Sequence, residues 1–377
     1  MAGKSFREAK VAKKDEFYTQ LVDIENELKH YKEHFAGKTV LCNCDDPRVS
    51  NFFHYFSYNF EKLGLKKLIT TCYKNQNRDL FSRNDSERAI WLEYYGDKNG
   101  NRVPDPEEIG IHYLNGDGDF RSAECIELLK EADIVVTNPP FSLFREFMDV
   151  LMKYDKQFLI IGNVNAVSYK ETFQLIKANK LWLGASIHSG DREFGVPKDY
   201  PLNAAGSRQD ENGNKYIRVK GVRWFTNLDY KERHEDLILY KTYNPEEYPN
   251  YDNYDAINVD KTSEIPMDYN GIMGVPITFL DKYNPDQFEI VTLGIGEGNF
   301  TPTKKYQKFR DPVTKEFISD KRDFLLYVRN ENGKYLTSED YRVDKCYARI
   351  LIRRRQIPYE QSESQMSMAA ENTENKM

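Results

Sequence analysis

The run Asp133-Ile134-Val135-Val136-Thr137-Asn138-Pro139-Pro140-Phe141 decides how this chain folds. Its apolar centre is short and β-branched and ends in turn formers, the pattern of a strand buried on both faces. Two successive prolines stop it, because each fixes φ and removes a backbone donor. Residues 142–153 then resume as a helix. A doubly buried strand followed by a helix is the unit of a parallel sheet. Working outward, residues 39–44 read as a strand, 50–63 as a helix closed by Gly64, and 68–73 as a second strand. Residues 74–110 are polar and aperiodic and read as an insertion. A short strand over 111–114 leads into the turn Gly116-Asp117-Gly118-Asp119, and 122–132 form a helix. A further strand (158–162) and helix (170–179) follow. Phe17, Leu21, Ile24, Leu28, Tyr31 and Phe35 recur at steps of three and four, predicting one amphipathic helix over 15–35. Strands alternating with helices imply an α/β fold, a parallel sheet with helices on both faces.

The alternation fades after residue 184. Residues 241–300 are dense in Tyr, Asp, Asn and Pro, which predicts a second, irregular domain. The expected division is a basic arm over 1–14, the α/β domain over 15–240, a second region over 241–355, and a polar tail over 356–377 with too little to bury for a fold. The 377 residues allow two or three domains. No apolar run reaches the roughly 18 residues of a membrane helix, and residues 1–14 lack the apolar stretch of a secretory signal. Five cysteines, at 42, 44, 72, 125 and 346, form no C-x-x-C pair, which argues against a zinc ribbon or disulfide scaffold. A reducing cytoplasm is the expected compartment. The net charge of −6 excludes a generic polyanion binder, so nucleic-acid binding would need local basic patches.

The loop Asn138-Pro139-Pro140-Phe141 follows a buried strand, where open α/β sheets place their sites. With two backbone donors removed, it offers acceptors: the Asn138 side-chain oxygen and the proline carbonyls. Acceptors suit a neutral amino group, whose lone pair is freed from a ring when both its protons are held. Phe141 offers a face on which a planar base can stack; the competing reading is a Pro-Pro turn capped by a core Phe. Asp117 and Asp119, beside Phe120, are candidate acceptors for an adenine amine, or else parts of an ordinary turn. Asp45 and Asp46 either accept from an ammonium group or form a helix-entry turn. No Walker A or G-x-G-x-x-G motif is present, and the histidines show no metal spacing, so no metal is expected. Basic clusters stand at Lys4, Arg7, Lys10, Lys13 and Lys14, at Lys304, Lys305, Lys308 and Arg310, and at Arg349, Arg353, Arg354 and Arg355. Each is a candidate phosphate contact or a solvated face.

Over roughly residues 14–290 the wording of the chain resembles the EcoRI-type adenine-specific DNA methyltransferases. The likeness runs through Asp15-Glu16-Phe17-Tyr18-Thr19-Gln20, Asn43-Cys44-Asp45-Asp46-Pro47, Gly116-Asp117-Gly118-Asp119-Phe120, the Asn138 loop, Trp224-Phe225-Thr226-Asn227 and Tyr251-Asp252-Asn253-Tyr254. The resemblance implies a Rossmann-like methyltransferase sheet using S-adenosylmethionine, with a C-terminal target-recognition region over 241–355. It implies methyl transfer to N6 of an adenine flipped out of double-stranded DNA, in company with a restriction endonuclease. Asn138, Pro139, Pro140 and Phe141 would be catalytic. Tyr18 and Thr19 would lie near the methionine end of the cofactor, Asp45 or Asp46 at its ammonium or ribose, and Asp117 or Asp119, with Phe120, at its adenine. Cys72 and Tyr73, at the end of the second strand, would also lie at the cofactor, where the familiar methyltransferase pattern carries an acidic residue for the ribose that this chain lacks; F-x-G-x-G is also absent. Trp224 is a candidate second wall of the base pocket or a core tryptophan. Lys13, Lys14, Lys304, Lys305, Arg349, Arg353 and Arg354 are the candidate DNA contacts. A monomer is expected, since one flipped base needs one active site. The competing activities are amino-methylation of RNA or a protein glutamine, and nucleic-acid binding without catalysis.

Overall fold

The computed structural model describes residues 17–43, 50–71, 89–101, 103–196, 200–202, 206–296, 298–306, 308–318 and 324–355. The chain divides into two compact units, Met1–Arg233 and His234–Met377. The expected arm and tail, with Lys13, Lys14, Asp45, Asp46, Cys72 and Tyr73, lie outside the described residues.

In the first unit the elements run β1 (Tyr18–Thr19), α1 (Leu21–Leu28), β2 (Thr39–Asn43), α2 (Asn51–Tyr58), α3 (Phe60–Leu63), β3 (Lys67–Thr71), β4 (Ile90–Tyr94) and β5 (Ile109–Tyr113). They continue α4 (Ala123–Glu131), β6 (Ile134–Thr137), α5 (Phe144–Lys153), β7 (Gln157–Asn163), α6 (Lys170–Lys177), β8 (Trp182–Leu183), β9 (Asp191–Val196), β10 (Arg208–Gln209), β11 (Lys215–Lys220) and β12 (Val222–Thr226). The large sheet has the order β5-β4-β3-β2-β6-β7-β12-β8. Its central strands β3, β2, β6 and β7 are parallel. β4 and β12 run against their neighbours.

Every residue of β2, β3 and β6 is buried, which is why these segments read as apolar runs rather than alternating ones. Val40, Cys42, Leu68, Ile134, Val136, Leu159 and Ile161 join one core with Ile24 and Leu28 of α1, Phe52 and Phe56 of α2 and Phe60 of α3. Intervening residues point to the other face. There Phe144 of α5 packs on Phe225 of β12, ring centroids 5.0 Å apart. A side chain at Gly162 of β7 would run into the Phe144 ring, so this close approach requires glycine. Gly64 closes α3 in the left-handed conformation, φ 63°. Ser122 caps α4, its hydroxyl accepting from the Cys125 amide at 3.3 Å.

Two expectations need correction. The helix over 15–35 shortens to Leu21–Leu28, because Tyr18 and Thr19 pair as strand with Gly195 and Phe194. The periodicity still marks burial: Ile24, Leu28, Tyr31 and Phe35 are all inaccessible. The stretch read as an insertion contains β4, whose burial alternates with period two. Its charged and aromatic outward residues hid that alternation.

A second sheet of the first unit, β1-β9-β11-β10, is antiparallel. In the second unit, expected to be irregular, the described residues form two small sheets of strands two to six residues long. These strands are β13 (Ile257–Asn258), β14 (Met273–Pro276), β15 (Phe288–Leu293), β16 (Phe309–Arg310), β17 (Phe317–Ile318), β18 (Tyr327–Arg329), β19 (Tyr335–Leu336), β20 (Arg342–Lys345) and β21 (Arg349–Arg354). One sheet is ordered β13-β14-β21-β15, the other β17-β16-β19-β20-β18. Strands this brief leave little periodicity to read.

Candidate active site

The Asn138 loop leaves β6 at the carboxyl end of the parallel strands. Thr137 is wholly buried and donates its hydroxyl to the Asn43 carbonyl, tying the ends of β6 and β2 together. Asn138 is 6% exposed, and its Nδ2 donates to the Phe17 carbonyl oxygen at 2.6 Å. A carbonyl accepts only, so the amide nitrogen must face it and Oδ1 must face away. Oδ1 is buried and has no hydrogen-bond partner among the described residues. The segment that supplies the Phe17 carbonyl is itself held. Thr19 pairs with Phe194, and Asn51 Nδ2 donates to the Thr19 carbonyl at 2.7 Å.

Pro139 is buried. The Pro140 carbonyl accepts from the Leu143 amide at 2.9 Å in the turn that starts α5. Phe141 is half-buried. Its ring meets Phe17 edge to face at 5.7 Å and Phe194 at 6.4 Å, so three aromatics from three segments converge on the loop. Such pairs contribute about 0.5–1.5 kcal/mol beyond the area they bury.

Other buried polar atoms near this end of the sheet lack partners among the described residues: Oδ1 of Asn43, the last residue of β2, Oγ1 of Thr70 in β3, and Oγ1 of Thr19. An unmade hydrogen bond at a buried group costs about 1–3 kcal/mol, and such groups call for a ligand or a functional reason. Asn43 and Asn51 were not singled out from the sequence. Their signal was position, one ending a strand and one opening the next helix.

The Gly116 loop follows β5. Glu124 of α4 braces it, accepting from the Asn115 and Gly116 amides at 3.1 and 2.9 Å, and these bonds hold its carboxyl below the ordinary value. Gly118 takes φ 81°, which favours glycine. Asp119 is engaged by Arg121, with Nε on Oδ1 at 2.8 Å and Nη2 on Oδ2 at 2.6 Å. Asp117 Oδ1 accepts from the Asp119 amide at 3.1 Å. Of the two candidates, Asp119 is committed to Arg121, whereas Asp117 meets a neutral backbone amide. Phe120 is buried against Phe147, ring centroids 5.0 Å apart.

Trp224 is not a wall of an open pocket. It is 1% exposed in β12, opposite Ile161, with its ring edge to face on Phe52 at 6.2 Å. The helices over this face of the sheet exclude a base from it.

The described basic candidates divide by their partners. Lys304 is paired with Glu339 at 2.8 Å, and Arg349 is largely covered and held by Asp260 at 3.3 Å. Lys305 lies over the Phe324 ring at 5.9 Å. Arg353 is exposed on β21 opposite Glu289, and Arg354 is half-buried. No described helix is long and apolar enough to cross a membrane.

A profile described as adenine-specific methyltransferase EcoRI matches residues 5–355. The chain belongs to the EcoRI adenine-specific methyltransferase family. A relative in this family, the type II methyltransferase M.EcoRI of Escherichia coli, is 54% identical over 81% of this chain and 95% of its own length. The type II methyltransferase M.MgeORF184P of Mycoplasma genitalium is 40% identical over 93% of this chain and 99% of its own. M.MpnI of Mycoplasma pneumoniae is 41% identical over 76% and 84%. No solved structure matches the chain.

Proposed function

We propose that this chain is a site-specific adenine methyltransferase of a restriction–modification system, acting on N6 of an adenine flipped out of double-stranded DNA. The observation that carries the reading is Asn138 Oδ1, buried, without a partner and oriented by the Phe17 carbonyl. The strand order, with an antiparallel β12 inserted between β7 and β8, supports a Rossmann-like methyltransferase sheet.

Asn138 Oδ1 accepts one proton of the adenine amine. Pro139 supplies the second acceptor, since the Pro140 carbonyl is taken by Leu143. Holding both protons draws the nitrogen lone pair out of the ring and leaves it available as the nucleophile. Phe141 stacks on the base, which an extruded nucleotide needs once it has left its neighbours. S-Adenosylmethionine supplies, when bound, a methyl group on a positively charged sulfur. The residues at the carboxyl ends fit it: Asn43 and Thr19 offer unpartnered polar atoms, Tyr18 stands beside them in the segment, and Asp117 is the acceptor for its adenine. Asp45, Asp46, Cys72 and Tyr73 are proposed contacts on the loops after β2 and β3. Phe120 supports the Asp117 loop from below rather than touching the cofactor.

The region over 241–355 reads the target sequence in this proposal, with Lys305 and Arg353 among its phosphate contacts. The protein works as a cytoplasmic monomer paired functionally with an endonuclease. The test is sequencing of modified bases on DNA from cells that express the chain. N6-methyladenine at one short motif is expected; unmodified adenine throughout would refute it.

A further inference from the structure

A cavity of about 390 Å³ opens in the second unit beside the turn that joins β20 to β21. Three cations line it, Arg329, Lys345 and Arg349, together with Tyr347. Tyr347 is 88% exposed, so its ring stands at the open side. A single exposed ring needs no explanation. This one lines the same cavity as Arg329, whose guanidinium the fold holds in place.

Arg329 donates Nε to Asp252 Oδ1 at 2.6 Å, and its guanidinium lies 4.2 Å from the centre of the Tyr341 ring. Asp252 is 6% exposed and is fixed in turn by the hydroxyls of Tyr306 and Tyr341, each 2.5 Å from Oδ2. One edge of Arg329 is thus clamped from inside the unit while the side chain remains 65% exposed. The carboxylates on the lining are committed to the protein. Asp344 accepts from Asn330 Nδ2 at 2.6 Å and from the Lys334 amide at 2.9 Å. Asp260 accepts from Asn258 at 2.8 Å and Arg349 at 3.3 Å. The three cations and the carboxylates of Asp252, Asp260 and Asp344 leave the cavity near charge balance, and what it offers a ligand is the exposed edge of the Arg329 guanidinium.

A planar guanidinium held along one edge suits a phosphate oxygen pair, and an exposed aromatic face suits a base. A DNA strand carries both groups side by side. We propose that this cavity binds one phosphodiester of the DNA substrate through Arg329 and packs Tyr347 against the adjoining base, making Tyr347 a positioning residue for target recognition. The inference rests on the DNA reading above and adds a site to it. Of the lining cations Arg349 alone belongs to a basic cluster of the sequence; Arg329 and Tyr347 lie outside those clusters.

The test uses the full chain and a fluorescent duplex bearing the motif found methylated in expressing cells. Anisotropy gives affinity across a salt series, and calorimetry gives cofactor binding. Tyr347→Ala is expected to weaken duplex binding by about 5- to 100-fold, with Tyr347→Phe retaining it and cofactor binding unchanged in both. Arg329→Gln is expected to lower the slope of log affinity against log salt by about one phosphate contact. Duplex affinity in Tyr347→Ala equal to the unchanged chain, or an unaltered salt slope in Arg329→Gln, overturns the inference while methyl transfer by the unchanged chain leaves the DNA reading standing. Absence of methyl transfer by the unchanged chain to any duplex defeats the DNA reading, and this inference with it.

Discussion

The side-chain nitrogen of Asn138 donates to the main-chain carbonyl of Phe17 across 2.6 Å, and this one bond sets which end of the amide a substrate meets. Asn138→Ala removes the acceptor and is expected to lower single-turnover methyl transfer by on the order of 10²–10³, with cofactor affinity retained. Asn138→Asp is the sharper variant. It places an oxygen against the Phe17 carbonyl, two acceptors facing each other, and should lower stability by about 1–3 kcal/mol as well as rate. Transfer of labelled methyl at near-normal rate by either variant would remove Asn138 from the chemistry.

Phe141 is held edge to face by Phe17 and Phe194 yet remains partly exposed, as a stacking residue should be. Phe141→Trp keeps an aromatic face and is expected to retain transfer. Phe141→Ala should lose it, since a stacked base contributes about 1–3 kcal/mol. Fluorescence of 2-aminopurine at the target adenine reports flipping beside the rate. If both variants lose thermal stability but not activity, the ring is packing and the stack lies elsewhere.

Trp224 belongs to the core, so its substitution should act on folding. Trp224→Ala is expected to cost about 3–5 kcal/mol of stability, the range for truncating a large buried ring. Denaturant titration measures this. An undiminished midpoint combined with slower transfer would return Trp224 to the base pocket.

Asp252 links acid stability to the second unit. Burial pushes its carboxyl upward, but hydrogen bonds from Tyr306, Tyr341 and Arg329 outweigh burial and leave it below the ordinary carboxylate value. A folded-state value below the unfolded one means that the stabilisation is complete above the unfolded value, about 3.9. It is lost as pH falls through the folded value. Melting curves recorded from neutral pH into acid should therefore fall more steeply for the unchanged chain than for Asp252→Asn, which should already be less stable at neutral pH. Parallel curves for the two proteins would contradict the linkage.

Local pattern determined much of this protein. The apolar runs of β2, β3 and β6 announced strands buried on both faces, and the prolines after Asn138 announced where the central one must stop. Steps of three and four placed Ile24, Leu28, Tyr31 and Phe35 in the core before any partner was known. These features are legible because burial imposes a period on neighbouring residues. Tertiary structure decided what period cannot carry. It turned Tyr18 and Thr19 from helix into strand by pairing them with β9, recruited β4 from a stretch that looked like an insertion, and buried Trp224 under α2. Above all, it aimed Asn138. The carbonyl that orients its amide belongs to a residue 121 positions away, and a main-chain carbonyl has no signature in sequence because every residue owns one. Which of them meets Asn138 depends on the path of the folded chain, so the acceptor required by the chemistry was visible in the sequence and its direction was not.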